Sequence, residues 1–168
     1  MTAAAQPVTD QVAGYAPHEH RPLGGYAVLV AAFGAALGGS LAALRASGRE
    51  LPERPSAADI ALAGVATHKV TRLVSKDRVT SFIRAPFTRY QEPAGQGELD
   101  EAPRGAGLRL AVGELVVCPY CLAQWVAAGF AVGLAAAPRT TRFVAGIYAA
   151  QTLSDFLQLA YKAAEDRA

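Results

Sequence analysis

Leu23–Leu44 carries no charged residue over 22 positions, and Leu115–Pro138 carries none over 24. A helix crossing the hydrocarbon core of a bilayer needs roughly 20 apolar residues, so either run is long enough to span. A helix buried in a water-soluble protein needs only one apolar stripe and keeps a polar face, which neither run has. The 168-residue chain is therefore expected to be an all-α integral membrane bundle, of about four helices once two less apolar stretches are counted.

The formal charge of +2 is too small to argue for a nucleic-acid partner, and no stretch interleaves aromatics with a dense basic run. Residues 45–114 hold 11 of the 16 Lys and Arg, the kind of loop asymmetry that orients membrane helices. With four spans the basic residues divide 11 to five, which places both termini and the connection 76–114 in the cytoplasm. If the second helix lies flat on the membrane the N-terminus moves outside, and the connection stays cytoplasmic.

Residues 1–22 mix Ala, Pro, Gly, His18 and His20 without apolar periodicity and read as a disordered tail with solvated histidines. Residues 23–56 form a first span, Gly24–Leu44, and its connection. Gly34 and Gly38 lie one helical turn apart there, a spacing that lets another helix approach closely. Residues 57–162 form the rest of the membrane domain, and 163–168 a C-terminal tail. Ser56 is the expected N-cap of a second helix from Ala57 to about Ser75, with Asp59 in its first turn. That helix turns basic at His68, Lys69, Arg72 and Lys76, on one side. It either spans with its basic end reaching the interface or lies in the interface plane.

Residues 76–114 read as a polar connection. Val79, Phe82, Ile83 and Phe87 give a short amphipathic segment, and 91–107, rich in Pro, Gly and acidic residues, are expected to be flexible. A third span starts at Cys118, tolerates Pro119 in its first turn, and stops before Pro138 and Arg139. Gly129 and Gly133 repeat the close-contact spacing. A fourth, Phe143–Tyr161, contains Asp155, a carboxylate that costs about 2.5–3.5 kcal/mol inside a membrane helix unless paired or hydrated. Lys69 or Arg72, at a similar depth, is the expected partner, with Cys118 and Cys121 in the same layer.

Cys118-Pro119-Tyr120-Cys121 is the sharpest local motif. Two cysteines cannot build a disulfide framework. At a helix start the pair either sets packing, serves as a dithiol with Cys118 as nucleophile and Cys121 as resolving thiol, or supplies two of the four ligands of a metal site, His68 being a possible third. The same tetrapeptide occurs in glutaredoxins, but no βαβ pattern accompanies it. No phosphate loop, dinucleotide fingerprint, zinc-protease helix or serine elbow occurs either, so catalysis is not required, and no cofactor or metal is expected. The expected partners are the lipid bilayer and either a second copy or another membrane protein. An oligomeric channel or transporter lined by Asp155 and Arg72 is a further possibility.

Two segments together resemble the proteins grouped as domain of unknown function 1360. The first runs from Ala66-Thr67-His68-Lys69 through Arg72 and Asp77 to Arg84-Ala85-Pro86-Phe87; the second is Gly113-Glu114-Leu115 with Cys118, Cys121 and Trp125. The resemblance covers residues 58–160, leaving the first span and the tail outside it. Ala123 stands where the family commonly has glycine. It implies a bacterial, membrane-associated helical protein with His68, Lys69, Arg72, Asp77, Arg84, Glu114 and Trp125 in its shared motifs. Some relatives carry the label of sporulation proteins, and no activity is implied.

Overall fold

The structure, a computed structural model, describes residues 15–16, 18–19, 21–54 and 56–167. Most of the expected tail, His20 included, lies outside the described residues, and His18 is exposed.

Helix α1, Leu23–Ala46, follows Pro22 and ends at Gly48, whose φ of +70° is the left-handed conformation that closes a helix C-terminus. The Gly48 and Arg49 amides return to the carbonyls of Arg45 and Leu44 at 3.1 and 3.0 Å. Helix α2, Ala57–Ser75, starts after Ser56, although the Ser56 side chain makes no capping bond. Asp59 in its first turn instead receives two hydrogen bonds from Arg142, at 2.7 and 2.8 Å.

The stretch after α2 departs from an all-α architecture. One helical turn, α3 (Ser81–Arg84), leads to an antiparallel hairpin of β1 (Thr88–Gly95) and β2 (Glu98–Pro103). The segment expected to be flexible is thus ordered. Its turn, Gly95-Gln96-Gly97, has positive φ at all three residues, which two glycines make accessible. The register slips between Tyr90 and Glu92 and between Pro93 and Gly95, irregularities that accommodate a proline in a strand. Because Glu98, Asp100 and Glu101 sit among Pro and Gly, their strand pattern is weak in the sequence, and the hairpin is held by bonds at the end of α2 and by packing of β2 on the helix Gly107–Val117.

Helix α4, Gly107–Val117, and helix α5, Pro119–Ala136, meet at Cys118. Proline forces the preceding residue towards extended backbone, and Cys118 adopts φ −101°, ψ 102°. Pro138 likewise opens α6, Pro138–Glu165. This last helix extends several residues beyond the expected span at both ends. It takes in the first half of the supposed C-terminal tail, residues 163–165, because Lys162-Ala163-Ala164-Glu165 are good helix formers.

Helix α2 packs along α5 and α6, and α1 packs against α4 and α5. The fully buried hydrophobic residues among those described are Leu44, Ala66, Ala111 and Ala145. Apart from Leu44, this is a seam of small side chains between helices. Their larger residues, such as Val30, Ile60, Phe143 and Leu153, face outwards. Helices α1 and α5 are long and apolar enough to cross a membrane, yet only 6% and 0% of their apolar windows are buried.

Candidate functional site at the charged end of the bundle

The C-terminus of α2 leaves carbonyls without helical partners. Arg84, on the single turn of α3, reaches them: Nη1 donates to the Val74 carbonyl at 2.7 Å and to Thr80 Oγ1 at 3.0 Å, and Nη2 to the Asp77 carbonyl at 3.0 Å. Its Nε donates to the Glu101 carboxylate on β2. One fully buried guanidinium thereby joins α2, α3 and the hairpin, using the planar fork that lysine lacks. Thr88 Oγ1 donates to the Arg84 carbonyl at 3.0 Å and ties in β1.

A charge ladder fixes the hairpin along α2. Arg72 forks onto Glu98, with Nε and Nη2 at 2.9 and 2.7 Å from Oε1, and Lys76 lies 3.1 Å from Asp100. The match is geometric: four residues of helix advance about 6 Å, and two residues of strand about 6.8 Å. Basic residues at i, i+4 therefore face acidic ones at j, j+2. Backbone bonds continue the join, Leu99 N–H to the Lys76 carbonyl at 2.8 Å and Arg78 N–H to the Gly97 carbonyl at 3.0 Å. Asp77 caps the following turn, its Oδ1 accepting from Val79 N–H at 2.8 Å.

One turn earlier on α2, Lys69 Nζ lies 2.6 Å from Asp155 Oδ2 on α6. Arg72, the other candidate partner, is engaged by Glu98. Between α2, α6 and the hairpin turn is an open cavity of about 840 Å³ lined by His68, Lys69, Arg72, Glu98, Asp155 and Lys162 among others. Both ion pairs face it, so it presents paired charge rather than a field of one sign.

The remaining motif residues lie elsewhere. Glu114 accepts the Tyr26 hydroxyl bond from α1, with Arg21 Nη1 at 3.8 Å. The Arg21 guanidinium is held above its ordinary range by Tyr26 first and by Glu19 next. Trp125 meets Phe33 of α1 edge to face, with ring centroids 5.2 Å apart. Cys118 and Cys121 are joined as a disulfide at the α4–α5 junction, and neither lines the cavity. Among the described residues no group of three or more His, Cys, Asp or Glu is arranged to hold a metal ion.

The glycines divide unexpectedly. A Cβ at Gly34, Gly38 or Gly129 would meet nothing within 4 Å, and at Gly133 it would meet Thr141 of the following helix. Besides Gly133, close approaches within the chain occur at Gly25, against Ala111 of α4, and at Gly113, against the Phe87 carbonyl. Gly129 and Gly133 instead border an apolar groove of about 410 Å³ between α2, α5 and α6.

Glu98, Asp100, Glu101 and Tyr26 escape the sequence reading. The signal that could reveal the first two is the pairing of spacings, Arg72 and Lys76 four apart, Glu98 and Asp100 two apart. Compared with known families, residues 62–161 match the one described as protein of unknown function (DUF1360). That range contains α2 from Leu62, the hairpin and the cysteine pair, and leaves α1 outside. No curated protein and no solved structure matches the chain.

Proposed function

The chain belongs to the DUF1360 family, and from that premise we propose that it is a multi-pass protein of a bacterial membrane, acting as a non-enzymatic interaction component. The observation that carries this reading is the exposure of α1 and α5, whose apolar windows are almost wholly outside the protein's own core. In water such surfaces would far exceed the few hundred Å² of contiguous apolar patch that monomers tolerate. Lipid tails or neighbouring membrane helices cover them instead.

In this reading the polar layer built on Arg84, Arg72 and Lys76 stands at the cytoplasmic face, where the basic residues concentrate. Phe82 and Val79, exposed on and beside α3, contact the headgroup region beside Arg78. The uncontacted Gly34 and Gly38 of α1 and the groove at Gly129 are faces where a second copy or another membrane protein packs closely. The experiment is sedimentation of full-length protein without detergent, followed by alkaline carbonate washing. The expected result is a chain that stays in the membrane pellet. A folded, monodisperse chain in the supernatant would overturn the reading.

A further inference from the structure

The cysteine pair has no part in that interaction role, and its local geometry carries chemistry of its own. Pro119 holds Cys118 in extended backbone at the N-cap of α5. There its Sγ accepts the N–H of Cys121 at 3.1 Å, occupying the position a serine or aspartate oxygen takes in ordinary caps. Negative charge on that sulfur is favoured twice, by this N–H and by the positive end of the helix dipole. Cys121, in the first turn, is exposed beside Tyr120, which is 90% exposed, so its sulfur is accessible to another protein. The bond joins residues only three apart in sequence, and short loops gain least from cross-linking, so stability is a weak reason for it.

We propose that Cys118–Cys121 is a redox-active pair that exchanges its disulfide with a vicinal dithiol of a partner protein. A partner thiolate attacks Cys121 Sγ. The new sulfur–sulfur bond forms as the Cys118–Cys121 bond breaks, and the electron pair goes to Cys118, which leaves as the stabilised thiolate. The partner's second thiolate then attacks the partner sulfur of the mixed disulfide and releases Cys121. The partner has lost two protons and two electrons and become a disulfide. Cys118 and Cys121 have gained the two electrons and, with two protons from solvent, become a dithiol.

The test uses full-length protein with dithiothreitol and oxidised glutathione as probes. The pair should open completely with dithiothreitol and close again with oxidised glutathione over repeated cycles. In the reduced protein at pH 7, iodoacetamide followed by peptide mass mapping should show Cys118 modified on the order of tenfold faster than Cys121. A Cys121→Ala variant keeps the residue-121 N–H, so Cys118 should remain fast in it. Equal, slow modification of both cysteines in the wild type would overturn the proposal, as would a bond that fails to open or to re-form.

Discussion

Arg84 and Glu101 form an ion pair whose side chains are 0% and 5% exposed, one residue beyond the exposed Ile83 and two beyond Phe82, which is 73% exposed. At this turn the charged pair is buried and the neighbouring aromatic is exposed. Removing one partner of a buried pair leaves the other charge uncompensated and costs about 3–5 kcal/mol. Arg84→Ala is therefore expected to lower the thermal unfolding midpoint and expose the 88–103 hairpin to protease. Arg84→Lys should recover little of the loss, because one ammonium cannot reach Glu101 and the Val74 and Asp77 carbonyls together. Limited proteolysis in detergent checks both, and an intact hairpin in Arg84→Ala would reject the joining role.

The Lys69–Asp155 pair makes a reciprocal prediction. Asp155→Lys and Lys69→Asp should each reduce accumulation in the membrane, since each places two like charges together between α2 and α6. The double variant should restore it. Arg72→Asp combined with Asp155→Lys should not, because Arg72 is held by Glu98. Quantifying membrane-fraction protein for the variants decides the matter; rescue by Arg72→Asp alone would contradict the observed pairing.

The charge ladder predicts a local effect without global unfolding. Arg72→Lys replaces a forked contact by a point charge on a partly exposed pair, a loss of about 0.2–1 kcal/mol. Hydrogen exchange at the Leu99 and Arg78 amides, which bond across the α2–hairpin join, should speed up several-fold while exchange in α5 stays unchanged. Uniform acceleration through the bundle would mean that Arg72 supports more than the hairpin.

Glycine substitutions separate contacts within the chain from contacts with partners. A Cβ at residue 113 would lie 2.6 Å from the Phe87 carbonyl oxygen, so Gly113→Ala should destabilise by about 1–3 kcal/mol. Gly34→Ala and Gly38→Ala meet open space inside a helix and should leave the monomer as stable or up to about 1 kcal/mol more so, while weakening whatever association cross-linking detects along α1. Destabilisation of the monomer by either α1 variant would show that α1 packs more closely within the chain.

The sequence by itself determined the helices whose signals are local. Uncharged length marks α1 and α5, Ser56 and Pro119 mark helix starts, Pro138 marks the end of α5 but not the start of α6, and the need of Asp155 for a cation follows from its apolar setting. The hairpin, the choice of Lys69 over Arg72, the Arg84–Glu101 pair and the places of closest helix contact were decided only by tertiary structure. The physical reason is common to them. Each depends on which residues distant in sequence arrive opposite one another: a helix carrying basic groups about 6 Å apart finds acidic groups at matching intervals only where a strand is laid beside it. Small residues become contact points only where another segment arrives against them, the helix α4 at Gly25 and the Phe87 carbonyl and Pro103 at Gly113, although Gly34 and Gly38 have the clearer spacing.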